Sequence, residues 1–229
     1  MAISPEEDEL REDLRHLFDP APGHLIAIAG RLAEALRRDP AYRASRAIYA
    51  EPHPCLQQIR INCLLDGKRL LMPTAGLKEG FTLTEPFSVP FRALSYAVSL
   101  KGQMEHGRKV KTGALYGLDI GLLAAAGGMV DPAGVWLGNG KGFLDLVYAI
   151  LKESSALAPA ARVYAVPSAC LVEKIPPRPW DVRVNAILEG EVGVPCGDEQ
   201  VSGKIFWAEL AKKRIKKITP LWQLHKRGH

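Results

Sequence analysis

The sequence is poor in cysteine and lacks any CxxC pair: Cys55, Cys63, Cys170 and Cys196 lie far apart, with no histidine or carboxylate cluster at metal-ligand spacing beside them. That argues against zinc and leaves buried or inert thiols in a reducing compartment. It also lacks a membrane-length apolar run, because the longest weakly polar stretch, Leu115 to Val130, contains Asp119 and is too short to span. The segment Met1 to Leu10 is acidic and has no apolar signal core, so a cytoplasmic protein is expected. No internal repeat or low-complexity linker breaks the chain. With 229 residues and 47% hydrophobic content, disorder is excluded and one domain with a substantial core is expected.

The net charge of +5 hides an uneven distribution. Residues 204–229 hold eight basic residues and one acid, +7 in all, so the other 203 residues sum to −2. A wholly basic, nucleic-acid-coating domain is therefore not expected. A local basic surface at Lys212, Lys213, Lys216 and Lys217 stays open.

Apolar spacing predicts a helix over residues 5–18, with Ser4 as cap, Pro5 in the first turn and Glu6, Glu7 and Asp8 at its positive end. Leu10, Leu14, Leu17 and Phe18 form its stripe. A second helix is expected over 23–38 and a short one over 56–65, closed by Asp66-Gly67. Residues 69–72 read as a strand cut by Pro73, 75–90 as loop, and 91–100 as a helix. Strands are expected over 119–126, 163–166 and 184–188, and helices over 142–152 and 203–217. Lys68 reads as an exposed turn lysine. Short strands alternating with helices predict an α/β fold, a three-layer sandwich around a mainly parallel sheet.

The most informative segment runs Trp136-Leu137-Gly138-Asn139-Gly140-Lys141-Gly142-Phe143-Leu144-Asp145. Alternate glycines let backbone N–H groups converge on one point, the following helix adds its positive end, and Lys141 adds a charge. This is an anion cradle in principle, although the spacing fits neither the Rossmann fingerprint nor the P-loop. A glycine-rich turn without a ligand is the alternative. Asp145, in the first helical turn, is placed to meet a metal or a ligand hydroxyl, or to act only as a helix-end charge.

Taken in order, four stretches resemble the 5-formyltetrahydrofolate cyclo-ligase (methenyltetrahydrofolate synthetase) family, and within it the branch of methenyltetrahydrofolate synthetase domain-containing proteins. They are Arg11 to Phe18; Ile59-Arg60 through Asp66-Gly67-Lys68 to Thr74; Gly138 to Leu146; and Trp180-Asp181-Val182-Arg183-Val184-Asn185 with Gly203 to Trp207. The resemblance covers roughly residues 5–221. It implies a single cyclo-ligase-like (Rossmann-like) domain over 1–221 and a basic C-terminal tail over 222–229. It further implies ATP and Mg²⁺, a folate-like substrate, and a monomer or homodimer without a membrane. In that chemistry ATP phosphorylates the formyl oxygen of 5-formyltetrahydrofolate, N10 attacks the activated carbon, and loss of phosphate closes 5,10-methenyltetrahydrofolate.

Carried over residue by residue, the resemblance assigns Arg11, Arg15, Gly138, Asn139, Gly140, Lys141, Gly142 and Phe143 to the nucleotide. Asp145 and Lys141 become catalytic groups, and Asp145 also the Mg²⁺ ligand. His53, Glu51, Trp180 and Asp181 are assigned to the substrate. Several positions depart from the family pattern. Trp136 stands where an arginine is usual, Lys141 replaces a glycine, Leu144 a tyrosine and Leu146 an arginine. His53 stands near the place of a pterin-reading glutamate, a glutamine around Ser168 and Cys170 is missing, Trp180 replaces a histidine, and Asn185 an aspartate. Two alternatives therefore accompany the cyclo-ligase reading. One is a paralogue binding a nucleotide or phosphorylated metabolite with changed or lost chemistry. The other, ranked last, is a nucleic-acid-associated module using the basic C-terminal helix.

Overall fold

A computed structural model describes residues 4–16, 23–138, 140–167, 172–189, 192–196 and 203–228. Leu17, Phe18, Asn139, Ser168 and Cys170 lie outside the described residues. The strands are β1 (Ala47–Ala50), β2 (Arg69–Pro73), β3 (Phe81–Thr84), β4 (Arg108–Val110), β5 (Ile120–Val130), β6 (Trp136–Leu137), β7 (Leu157–Pro167), β8 (Ala186–Glu189) and β9 (Val192–Pro195). The helices are α1 (Pro5–His16), α2 (Gly23–Arg38), α3 (Pro40–Ala44), α4 (Gln57–Leu65), α5 (Leu94–Ala97), α6 (Gly102–His106), α7 (Phe143–Glu153), α8 (Lys212–Lys217) and α9 (Thr219–Gly228).

The sheet runs β4-β3-β2-β1-β5-β7-β8-β9, with β6 paired to β5 off this path. Its centre, β2-β1-β5-β7-β8, is parallel, and both edges turn antiparallel at β3, β4 and β9. Alternate residues feed two cores. Leu123, Ala125, Val163 and Ala165 pack with α7 and with Ile215 and Leu221 of α8 and α9. Leu122, Ala124, Tyr164 and Val166 pack with Leu32 and Leu36 of α2 and with Ile59 and Cys63 of α4. One sheet covered on both faces makes the three-layer sandwich that the element pattern predicts.

The sequence reading is corrected at five points. The central strand β1 is absent from the sequence reading because its four residues are all buried, so it shows no polar-apolar alternation. The stretch 75–90 is not all loop, since Phe81–Thr84 pairs with β2. The helix expected over 203–217 is a short 3-10 turn, Trp207–Glu209, followed by α8, and the one over 91–100 shrinks to a 3-10 turn and α5. Lys68 is buried: its Nζ donates to the carbonyls of Arg43 and Ser45 and sits 5.0 Å from the centre of the Tyr42 ring.

Strand β5 extends past Ala126, where the sequence suggested a stop. Gly127 takes φ +78°, and the register with β7 shifts between Ala126 and Gly128. The strand then leaves the parallel sheet and pairs Met129 and Val130 with Leu137 and Trp136 of β6. This bend carries the glycine loop over the carboxyl ends of the parallel strands. The stretch from residue 222, expected as a basic tail, continues the helix α9, whose Leu221 is fully buried.

Candidate active site

Three parallel strands end at one cavity of about 460 Å³. Glu51 follows β1, Pro73 and Thr74 close β2, and Ala126 and Gly127 stand where β5 leaves the sheet. This is where open α/β sheets bind ligands, just beyond the carboxyl ends of their strands. Trp136, Gly138, Phe143 and Asp145 complete the wall from the β6–α7 segment. No Lys or Arg is among the described side chains lining this cavity.

A second cavity of about 370 Å³ has a different chemistry. Lys141, Arg178, Lys204 and Arg214 line it with the rings of Trp180 and Phe206, which meet edge to face at 5.8 Å. The two cavities share Gly142 and Asp145. Gly140 and Gly142 adopt φ +78° and +54°, a region that side chains rarely enter. Gly142, the cap residue of α7, makes no side-chain cap bond, so the positive terminus of this eleven-residue helix, with Asp145 in its first turn, lies at the junction.

Asp145 is held there by Val182, whose N–H donates to Oδ1 at 2.8 Å. Its carboxyl is pushed up to about 7, chiefly by burial and further by the charge of Asp181. Glu51, anchored by a bond from the Ala126 N–H to Oε2, is pushed up to about 7 by burial, with Asp145 adding to the effect. Asp145, where the two cavities meet, and Glu51, on the wall of the first, are buried carboxyls whose charged forms are disfavoured without a proton or a cation nearby. Among the described residues no group of three His, Cys, Asp or Glu could hold a metal by itself. A magnesium ion at Asp145 would thus take most of its ligands from phosphate oxygens and water, as that ion commonly does.

The residues expected at the nucleotide fall into two groups. Arg15 pairs with Glu12 and lies beside Gly140, where a Cβ would come within 3.1 Å of its Nε. Arg11 is buried and grips Asp181 through two bonds, at 2.7 and 3.2 Å, while also donating to the Pro176 carbonyl. Asp181 takes a further bond from the Arg178 N–H. Arg11, Arg15, the glycine loop, Asp145 and Asp181 therefore gather in one region, but Arg11 and Asp181 face each other and line neither cavity. Trp180 lines the cationic cavity, and Glu51 and His53 the other one. Asn185 is structural, exchanging bonds with the backbone of Val163 across the β7–β8 edge.

Two supporting residues escaped the sequence reading. Arg60, almost fully buried, donates to the carbonyls of Glu51, His53 and Val98 and fixes the loop after β1. Asp131 accepts from the N–H groups of Val135 and Ile175 and braces the turn before β6. Arg60 sits among other polar residues of α4, Gln57, Gln58 and Asn62, and only its place in the resemblance singles it out, while Asp131-Pro132 looks like an ordinary turn.

The model of the 5-formyltetrahydrofolate cyclo-ligase family matches residues 4–190. The chain belongs to that family. It is 26% identical over 187 residues to a methenyltetrahydrofolate synthase domain-containing protein of Danio rerio, covering 79% of this chain and 48% of that protein. The namesake from Bos taurus is 26% identical over 206 residues, covering 86% and 53%. The chain thus spans about half the length of the curated relatives it matches. Against the NMR structure of Aquifex aeolicus 5,10-methenyltetrahydrofolate synthetase the TM-score is 0.49 at 17% identity, over 89% of this chain and 99% of that one. Within the cyclo-ligase pattern, the departure at Trp136 has a structural partner: its indole fills the space left by Gly128. No helix among the described residues is long and apolar enough to cross a membrane.

Proposed function

We propose that this chain catalyses an ATP-dependent ring closure of the cyclo-ligase type on a 5-formylated tetrahydrofolate. The folate ring lies in the cavity between Glu51 and Trp136, and the nucleotide lies over the glycine loop with its charged end in the Lys141–Arg214 cavity. The observation that carries this reading is Asp145, a single carboxyl lining both cavities at the uncapped end of α7. A reaction joining two bound molecules needs their reacting atoms to meet, and Asp145 marks the meeting point.

The chain's residues divide the work. Lys141 and the first N–H groups of α7 neutralise the transferred phosphoryl group. Asp145 would hold a Mg²⁺ ion, whose charge would offset that of the phosphates. Glu51 holds the ring, and Trp136 and Phe143 keep water from the activated carbon. The products are 5,10-methenyltetrahydrofolate, ADP and phosphate. The family resemblance supports cytoplasmic folate metabolism as the setting, in one domain over 1–221.

The test is turnover of 5-formyltetrahydrofolate with Mg-ATP, followed through the absorbance of the methenyl product. Wild type is expected to turn over and Asp145→Ala to lose at least about a hundredfold. A folded wild-type protein with no turnover sinks the catalytic reading. The buried Arg11–Asp181 pair favours a second reading, in which this relative binds a phosphorylated ligand but runs other chemistry, because two expected site charges are occupied with each other. Mg-ATP stabilisation without turnover is its expected signature.

A further inference from the structure

We propose that Arg214 contacts the terminal phosphate of the bound nucleotide, through guanidinium N–H groups that its bond to the glycine loop leaves unused. The role rests on the placement of the nucleotide proposed above. It adds a residue from beyond the stretch that matches the family model, which ends at residue 190.

The wall of the cationic cavity comes from two places in the chain. Gly140, Lys141, Gly142 and Asp145 belong to the glycine loop and the start of α7. Lys204, Phe206, Glu209 and Arg214 belong to α8 and the segment that leads into it. Arg214 joins the two, because its Nη2 donates to the main-chain carbonyl of Lys141. The next residue, Ile215, is buried in the same core as Val147 and Leu151 of α7, which gives the arginine arm a fixed base.

The other cations of this cavity are placed differently. Arg178 is paired with Asp8 and lies 5.5 Å from the centre of the Trp180 ring. Lys141 and Lys204 are exposed, whereas Arg214 is half-buried, so its charge is screened less than theirs. Burial lowers the pKa of its guanidinium and the charge of Asp145 raises it, so the two groups lie within electrostatic reach. A guanidinium carries five N–H donors in a planar fork that matches phosphate oxygens. Among the described residues, Nε and Nη1 of Arg214 have no hydrogen-bond partner. Asp145 stands where this cavity meets the ring cavity, and the phosphate nearest that junction is the terminal one. Of the other carboxylates on this wall, Asp8 is taken by Arg178 and Glu209 is exposed.

Calorimetric affinities for Mg-ATP and Mg-ADP in wild type, Arg214→Ala and Arg214→Gln test this. Each variant is expected to bind Mg-ATP at least about tenfold more weakly, the range of a charge-assisted hydrogen bond, and Mg-ADP within about threefold of wild type. Equal losses with both nucleotides assign Arg214 to holding the loop alone and overturn the phosphate contact, as does no loss at all. Should the Ala variant not fold, Gln carries the comparison with the same outcomes. Lys213→Ala, at an exposed neighbour on α8, is expected to leave both affinities unchanged. A loss there as large as in Arg214→Ala reduces the effect to the general charge of the helix and ends the assignment. If folded wild type binds neither nucleotide, the function proposed above falls. Inorganic tripolyphosphate then decides alone: Arg214-dependent binding keeps the phosphate contact, and absent or Arg214-independent binding removes it.

Discussion

The indole of Trp136 lies against the backbone of Gly128, where a Cβ would come within 2.3 Å of Cζ2. Two strands meet at this contact, β6 and the bent end of β5, and the same indole forms a wall of the cavity beyond the strand ends. A side chain at 128 must push the indole out of the core or into the cavity. Gly128→Ala is expected to cost about 1–3 kcal/mol, the range of overpacked cores. Urea unfolding measures it, and pairing the change with Trp136→Leu should recover part of the loss. Full additivity of the two changes would show that the residues are not coupled.

Arg11 and Asp181 form a buried ion pair that pins α1 to the segment before β8. Removing one partner strands the other charge away from water. Arg11→Met and Asp181→Asn should each destabilise by about 3–5 kcal/mol. The double variant should cost less than the sum, because neither charge is then left alone. Denaturation midpoints of the three variants check this.

Glu51 and Asp145 are both pushed up to about 7 in the folded chain, against about 4 for an unfolded carboxylate. Between those values the folded state holds more protons than the unfolded state. Stability therefore falls as pH rises from about 4 to about 7 and levels off above it. Urea midpoints across that window should decline more steeply in wild type than in Glu51→Gln/Asp145→Asn. An unchanged slope in the double variant would assign the pH dependence to other groups.

Gly140 combines a left-handed backbone with close approach to Arg15. Gly140→Val is expected to strain the loop and remove the stabilisation of the protein by Mg-ATP while leaving folate affinity within about twofold. Differential scanning fluorimetry with each ligand separates the two effects. Loss of both responses together would point to a collapsed domain instead.

Much of this protein is determined by local sequence. The amphipathic spacing of residues 23–38 specifies α2, and the Gly-Asn-Gly-Lys-Gly run marks the entry to α7, because helical periodicity and glycine torsions act over a few residues. The order of those signals was enough to identify the family. Only the tertiary structure decided what the signals serve. Strand β1 carries no alternation because both its faces are buried, and Lys68 looks like a turn lysine until the carbonyls of Arg43 and Ser45 fold around it. Arg11 and Asp181, 170 residues apart, become one ion pair, while Asp145 becomes the link between two cavities. Such roles depend on which surfaces the sheet topology brings together, and on the desolvation that follows, neither of which any local window of sequence contains.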